Sequence, residues 1–159
     1  MSRAILALAL VAAASPAWPQ PLPTRAELLA VAGSDTVYFG PDSYALDPSA
    51  RATLAAQARL FIANPALTAT IEGHSDPGDT RDHALAAAER RASVVRNFLV
   101  SMGVEADRLK VVSWGKERPA TAASGPAAWA LSRRVVTVLA RPEQPAAPQP
   151  LPPVEEPSG

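Results

Sequence analysis

Asp76 and Arg91 are the residues of this sequence whose chemistry points most directly to a ligand. A carboxylate accepts hydrogen bonds from an ammonium group, and a guanidinium binds a carboxylate in a planar fork that lysine cannot reproduce. Together they suit a zwitterion, which carries an ammonium and a carboxylate on adjacent atoms. A simple ion pair between Asp76 and Arg91, or an Asp76 that caps the turns after it, fits the same spacing, so the alternatives stay open.

The segment before Asp76 alternates apolar and polar residues, as a half-buried β-strand does. Between Leu67 and His74, one face carries leucine, alanine and isoleucine, and the other carries threonine, glutamate and histidine. Asp76 therefore lies just beyond the carboxyl end of a predicted strand. Open α/β sheets usually bind their ligands at that end of the strands.

The segment that carries Arg91 predicts a long amphipathic helix. Apolar residues recur at three- and four-residue steps from Leu85 to Met102, and Gly103 then offers a left-handed stop. With about 3.6 residues per turn, Arg91 falls roughly 70° from the centre of the apolar stripe, and Arg90 projects into solvent. The sequence thus predicts that Asp76 and Arg91 form one half-exposed clamp at the edge of the sheet.

The other elements frame this clamp. Asp47 before Pro48 predicts a helix start, and Asn64 before Pro65 predicts its end. Strands are predicted at residues 36–39, 67–74, 109–114 and 135–140, the last as a continuous apolar run typical of a buried strand, and short helices at 24–32 and 127–131. The order strand, helix, strand, helix, strand, strand (βαβαββ) predicts an α/β or α+β fold. Its four strands form one mixed sheet with helices packed on one face.

The chain divides into four parts. Residues 1–17 have the positive start, the apolar run and the small residues of a signal peptide cleaved after Ala17, with an uncleaved membrane anchor as the alternative. Residues 18–33 are predicted to be a linker or a short helix, and residues 34–141 the folded domain. Residues 142–159 are rich in proline and are predicted to be a disordered tail. Export from the cytoplasm is the expectation.

Composition removes several classes of function. Lys and Arg balance Asp and Glu at 15 each, so no overall field favours nucleic acid or an anionic membrane. The absence of cysteine excludes disulfides, thiol catalysis, Cys-ligated zinc and lipid attachment to a cysteine of this chain.

Catalytic readings of the Asp76 loop are weak. His74, Ser75 and Asp76 are the residue types of a hydrolase triad, but consecutive residues leaving a strand point to opposite sides. The histidines and aspartates between residues 74 and 83 lack a fixed metal-ligand spacing. Nothing indicates that Glu72 and Asp76 form a general-acid pair with one raised pKa. We therefore predict no catalytic residue, no metal and no cofactor.

Trp114 and Trp129 lie near predicted element ends. Aromatic rings can stack on sugars, but in such places they are more often partly buried packing residues. The segment from Gly115 to Pro119 lacks the glycine spacing of a phosphate-binding loop and is predicted to be a turn at the rim of the site.

A family resemblance covers about a hundred residues in collinear order. The segments that carry it are Val37-Tyr38-Phe39, Ile71 to Asp76, Ala88 to Val95, Met102-Gly103-Val104, Val112 to Pro119 and Arg133-Arg134-Val135. They resemble the peptidoglycan-binding domain of the OmpA family, most of all its peptidoglycan-associated lipoprotein (Pal) branch. The resemblance implies the fold of the OmpA C-terminal domain.

The resemblance also implies roles for four residues. In the family, the loop aspartate and the helix arginine hold the diaminopimelate residue of the peptidoglycan stem peptide, and Asp76 and Arg91 occupy those motif positions. Phe39 matches an aromatic that lies near the ligand, and Arg133 matches a position that supports the pocket.

Some positions depart from the family pattern. Ala84 replaces an Asn near the start of the long helix, and alanines at 86–88 replace a Ser or Gly. Gly40 replaces an Asp of the Pal branch, and Ser132 replaces an Asn before the arginine pair. Each change removes a polar partner, and the lipidated cysteine of a Pal protein is missing.

The resemblance implies a periplasmic, non-catalytic module that binds peptidoglycan and contributes to envelope integrity. Association with the outer membrane or the cell wall is a further expectation from the resemblance. Tol-Pal-type envelope proteins are further candidate partners. The alternatives are a Pal-like protein–protein adaptor that has lost wall binding, and a cell-wall hydrolase or its regulator.

Overall fold

A computed structural model describes residues 21–140, so the predicted signal peptide and proline-rich tail lie outside the described residues. The elements are α1 (Arg25–Ala32), β1 (Thr36–Tyr38), α2 (Pro48–Ala63), β2 (Ala69–His74), α3 (Arg81–Ser101), a 3-10 turn (Ala106–Arg108), β3 (Leu109–Gly115), α4 (Pro126–Ser132) and β4 (Arg134–Leu139). Within this part of the chain, no helix combines the length and the apolar character needed to cross a bilayer.

The four strands form one sheet in the order β1-β4-β2-β3. Strand β4 runs antiparallel to both β1 and β2, whereas β2 and β3 are parallel and are joined through helix α3. The prediction of a mixed four-stranded α+β sheet is confirmed. The last strand of the chain, β4, is thus an inner strand of the sheet and lies between β1 and β2.

Side-chain caps fix where the two long helices begin. The carboxylate of Asp47 accepts a hydrogen bond from the Ala50 N–H at 2.7 Å, and Pro48 opens α2. The hydroxyl of Thr80 caps α3, which starts at Arg81. The apolar stripe predicted this start about one turn too late, because the first turn of α3 is mostly polar.

The core lies between the sheet and helices α2 and α3. Leu54, Phe61, Ile71 and Leu99 have no exposed surface. The other face of the sheet is covered only in part, because His74 on β2 is buried whereas Val138 on β4 is 40% exposed. The prediction that β4 is buried is therefore wrong for its outer face, because a continuous apolar run does not distinguish a strand covered on both faces from the centre of a one-sided sheet.

Helix α1 belongs to the packed unit. A capping box between Thr24 and Glu27 starts it, Leu28 is fully buried, and the Arg25 guanidinium contacts the Asp35 carboxylate at 2.6 Å. The packed unit therefore begins ahead of residue 34, where the sequence places the domain boundary.

Strand β2 passes unusually close to helix α3 at Gly73. A Cβ on Gly73 would lie 2.7 Å from the carbonyl carbon of Ala88 and closer still to its oxygen. The missing side chain lets the carboxyl end of β2, and the Asp76 loop after it, lie directly against the N-terminal half of α3.

Candidate functional site

A cavity of about 440 Å³ opens at this end of the sheet. Its walls come from the loops after β1 and β2, from α3 and from α4, and its lining includes Asp42, Tyr44, Asp76, Arg91, Trp129 and Arg133. Binding sites for small ligands have volumes of roughly 300–1,000 Å³. The cavity therefore has the size for one amino-acid side chain and its head group.

Asp76 is held by two neighbours at the cavity. One carboxylate oxygen accepts a hydrogen bond from Arg133 Nη1 at 3.3 Å, and the other accepts one from the Gly78 N–H at 3.0 Å. Its side chain is 21% exposed. Of the alternatives raised by the sequence, the local turn cap is present, whereas the ion pair forms with Arg133 instead of Arg91.

Arg91 differs from the half-exposed residue that the helix geometry predicts, because it is 3% exposed. Its Nε donates to the carbonyl of Ser43 at 3.1 Å, and its Nη2 donates to the carbonyl of Gly40 at 3.4 Å. The loop after β1 folds over the guanidinium and buries it. Nη1 is enclosed and has no hydrogen-bond partner among residues 21–140, so one strong donor at the site is unsatisfied.

Two aromatic rings flank the Arg91 guanidinium. Its Cζ lies 5.8 Å from the centre of the Phe39 ring and 5.7 Å from that of Tyr44, within cation–π distance of both. Burial lowers the pKa of Arg91, and the nearby Tyr44, Asp76 and Asp42 act in the opposite direction. The guanidinium is thus fixed by two hydrogen bonds and two rings.

Phe39 and Arg133 support the site from behind and beside it. Phe39 follows β1, is 4% exposed and is not among the cavity-lining residues. Its N–H donates to the Arg133 carbonyl at 2.9 Å, and Arg133 Nε donates to the Phe39 carbonyl at 3.3 Å. Since Arg133 Nη1 also contacts Asp76, one side chain connects β1 to the Asp76 loop. The structure therefore brings all four predicted residues together.

Arg90, predicted to project into solvent, is also part of this region. Its Cζ lies 4.1 Å from the centre of the Tyr44 ring. Tyr44 cannot be assigned to the site from periodicity, because the loop between residues 40 and 46 has none. A single aromatic residue among small and polar ones is the feature of the sequence that could have pointed to it.

Charged contacts stiffen the rim of the cavity. His83 Nδ1 pairs with the Asp79 carboxylate, and Lys116 Nζ donates to the Asp79 carbonyl. The hydrogen bond between the His83 and Asp79 side chains raises the pKa of His83 and lowers that of Asp79. Arg81 and Glu117 pair at 2.9 Å, so the turn after β3 is joined to the start of α3.

The sequence pattern that defines the OmpA family matches residues 38–133. The chain belongs to the OmpA family. The match covers more than half of the chain and confirms the resemblance seen in the sequence. The loops after β1 and β2 and the helices α3 and α4, which form the walls of the cavity, all lie within the matched range.

Relatives of this OmpA-family domain carry the name peptidoglycan-associated lipoprotein. The protein of Agrobacterium fabrum is 41% identical over 105 residues, which is 66% of this chain and 59% of that protein. The protein of Mesorhizobium japonicum is 39% identical over 117 residues, covering 74% of this chain and 70% of the relative. The chain thus spans only part of the length of these relatives.

Solved structures share the fold of the OmpA-family domain. The crystal structure of the peptidoglycan-associated lipoprotein from Burkholderia pseudomallei matches with a TM-score of 0.69 and 32% identity, over 76% of this chain and 100% of that one. The C-terminal domain of Helicobacter pylori MotB matches with a TM-score of 0.63 at 18% identity, over 69% of this chain and 86% of that chain. At this low identity, the likeness to the MotB domain shows a shared fold alone.

The departures from the OmpA-family pattern lie in the packing around the cavity. Ala84 is fully buried, and Ser132, 1% exposed, accepts a hydrogen bond from the Ala120 N–H at 3.2 Å. Gly40 contributes its carbonyl to Arg91. None of these three is among the described residues that line the cavity, whereas Ala87, within the departure at 86–88, does line it. The charged residues of the lining include Asp42, Asp76, Arg91 and Arg133.

Within the described part of this OmpA-family domain, His74 and Asp76 have separate partners. His74 is buried with its Nε2 3.9 Å from the Glu72 carboxylate, whereas Asp76 contacts Arg133 and Gly78. Residues 21–140 contain no group of three side chains suited to a metal. Trp129 lines the cavity, but Trp114 lies under the guanidinium of Arg118 outside it.

His74 makes stability depend on pH. Burial, with Arg134 and Arg118 nearby, lowers its pKa from 6.5 to about 4. Below pH 6.5 the unfolded chain binds a proton that the folded chain refuses, so stability falls as the pH drops from 6.5 towards 4. At 1.36 kcal/mol per pKa unit, we expect a loss of about 2–3 kcal/mol between pH 7.5 and 4.5 from this residue.

Urea unfolding of the wild type and His74→Gln at both pH values measures this contribution as the difference between their pH slopes. The chain has one other histidine, His83, whose pKa moves upward, so His83→Gln is the matched control and should keep the acid loss. Equal slopes for the wild type and His74→Gln would show that the buried imidazole is protonated without cost.

Proposed function

We propose that this domain binds peptidoglycan non-covalently, without catalysis, through the diaminopimelate residue of the stem peptide. The observation that carries the proposal is the cavity that Asp76, Arg91 and Arg133 line together, with Asp76 paired to Arg133. Membership of the OmpA family and the names of the relatives support peptidoglycan as the ligand, and the diaminopimelate contact is the finer part of the proposal.

The contacts of Arg91 define how the ligand carboxylate would bind. Nε stays on Ser43, while the 3.4 Å bond from Nη2 to Gly40 is the weaker one. A ligand carboxylate that replaces the Gly40 carbonyl takes both Nη atoms in a fork, and it also satisfies the partnerless Nη1. Because Nη1 is enclosed, the turn at Gly40 has to move slightly for this exchange.

Asp76 would take the ammonium group of the same head group. Its carboxylate is partly exposed and is held by Arg133 and the Gly78 N–H. A carboxylate with two fixed partners keeps its position as the ligand arrives, so little ordering is lost on binding. Phe39 fixes Arg91 from behind, and Arg133 fixes Asp76.

The cellular setting follows from this ligand. We place the protein in the periplasm after export by the predicted signal peptide, in contact with the cell wall and contributing to envelope integrity. The names of the relatives support an envelope location. Tol-Pal-type proteins are candidate partners on the same grounds.

Co-sedimentation with purified sacculi tests the proposal. We expect Asp76→Asn and Arg91→Lys each to weaken binding by about 1.5–3 kcal/mol, roughly ten- to a hundredfold, since each removes one charge-assisted contact. Asp107→Asn and Arg59→Lys make the same substitutions at exposed positions and should bind like the wild type. Circular dichroism reports whether each variant is folded.

Two results would contradict the proposal. A wild type that stays in the supernatant supports the adaptor alternative, and release of muropeptides supports a hydrolase. Sacculi in which lysine replaces diaminopimelate lack the side-chain carboxylate, and the wild type should sediment with them poorly. Equal sedimentation with both kinds of sacculi would reject the diaminopimelate assignment.

A further inference from the structure

Two consecutive arginines of α3 hold the same loop. Arg91 donates to the carbonyls of Ser43 and Gly40, whereas Arg90 covers the ring of Tyr44 at 4.1 Å. One arginine thus fixes the backbone of the loop, and the other fixes its aromatic side chain.

Tyr44 depends on these contacts for its position. The loop between β1 and α2 has no regular structure apart from a turn in which the Ser43 N–H donates to the Gly40 carbonyl at 3.3 Å. The Tyr44 side chain is half-buried and lines the cavity next to Arg91. A guanidinium stacked on a ring restricts the ring while leaving its edge accessible.

The proposed ligand needs an apolar surface at this point. Diaminopimelate carries its outer zwitterionic head on a chain of methylene groups, and a head bound by Asp76 and Arg91 places those methylenes against the adjoining wall. Asp42 and Asp79 offer no favourable contact to methylenes. Pro41, Ala87 and the Tyr44 ring do, and the ring is the largest apolar group of the three.

Trp129 also lines the cavity, but its ring packs against the Asp76 loop. A Cβ on Gly78 would lie 3.3 Å from Trp129 Cζ3, so the indole packs under the turn that holds Asp76. Tyr44 is the ring beside Arg91, where the carboxylate would bind.

We propose that Tyr44 packs against the aliphatic chain of the bound diamino acid and that Arg90 is the residue that positions Tyr44 for this contact. This inference rests on the proposed function, because it deepens the recognition at the same cavity.

The two tyrosines of the chain allow a direct test. Tyr38 is 50% exposed on strand β1 and is not among the cavity-lining residues, so it serves as an internal reference. The protein is labelled with fluorotyrosine, Tyr38→Phe assigns the two fluorine signals, and the peptide L-Ala-γ-D-Glu-meso-diaminopimelate is added. We expect the Tyr44 signal to shift with the dissociation constant measured by calorimetry, and the Tyr38 signal to stay in place.

Variants separate the two roles. Tyr44→Leu should weaken peptide binding about tenfold, whereas Tyr44→Phe keeps the ring and should stay within about twofold. Arg90→Met should cost about threefold, and Arg90→Lys, which retains a cation over the ring, should restore most of it. Arg59→Met is the matched exposed control. A purely structural role would lower the unfolding temperature without this rescue by lysine.

The outcomes distinguish this inference from the function it rests on. If the wild type fails to bind the peptide, the proposed function is wrong and the role of Tyr44 with it. If the wild type binds, but the Tyr44 signal is unmoved and Tyr44→Leu binds normally, only the role of Tyr44 and Arg90 is overturned.

Discussion

Replacing Gly73 with alanine is expected to destabilise the fold by about 3 kcal/mol or more, the upper end of the range for overpacking. The added Cβ would lie 2.7 Å from the Ala88 carbonyl carbon and 3.2 Å from the Ala92 Cβ. The first of these neighbours is helix backbone and cannot change rotamer. Either β2 separates from α3 or the helix bends, and both open the core beside the cavity.

Urea unfolding measures the effect. Gly40→Ala is the control, because its Cβ would meet only the Ser43 Cβ at 3.6 Å, an ordinary contact. Ala92→Gly combined with Gly73→Ala should recover little, since it relieves the side-chain contact and leaves the backbone one. An unfolding midpoint for Gly73→Ala equal to that of the wild type would contradict the close approach of strand and helix.

Replacing Arg108 with methionine should destabilise the fold by about 3 kcal/mol, because several partly buried carbonyls lose their donor at once. Arg108 Nε donates to the Leu67 carbonyl at 2.9 Å, and Nη2 donates to the carbonyls of Phe61 and Asn64 at 2.8 and 2.7 Å. These carbonyls belong to the end of α2 and the turn into β2. Methionine keeps much of the aliphatic stem but supplies no donor.

The measurement for Arg108 is again the free energy of unfolding in urea. Arg59→Met on the exposed face of α2 makes the same chemical change away from such contacts, and it should stay within about 0.5 kcal/mol of the wild type. If Arg108→Met and Arg59→Met have equal free energies of unfolding, the hydrogen bonds of Arg108 stabilise the fold no more than hydrogen bonds from water to the same carbonyls would.

The sequence predicts the elements of this fold better than their pairing. The apolar stripe from Leu85 to Met102 and the cap at Asp47 locate the helices, since both depend on residues near in the chain. The position of β4 between β1 and β2 depends on contacts across the whole chain. The sequence of an apolar strand such as 135–140 does not indicate which strands it pairs with.

For the site, the sequence identifies the four residues that the structure brings together, but it does not predict the hydrogen-bond partners of Asp76 and Arg91. Helix geometry gives the direction of Arg91, but it cannot show that the Gly40–Ser43 turn folds over the guanidinium. It likewise cannot show that Asp76 pairs with Arg133, which is 57 positions away. Arg90 is exposed, as its position on the helix predicts, but its contact with Tyr44 could not be predicted because an irregular loop brings the two together.

The arrangement of the sheet has a consequence for biosynthesis. Strand β1 pairs only with β4, and β2 takes β4 as one of its two neighbours. A nascent chain that has not yet left the ribosome as far as Leu139 lacks the middle of its sheet, so β1 has nothing to join. The native sheet can therefore be completed only after residues 134–139 have been synthesised.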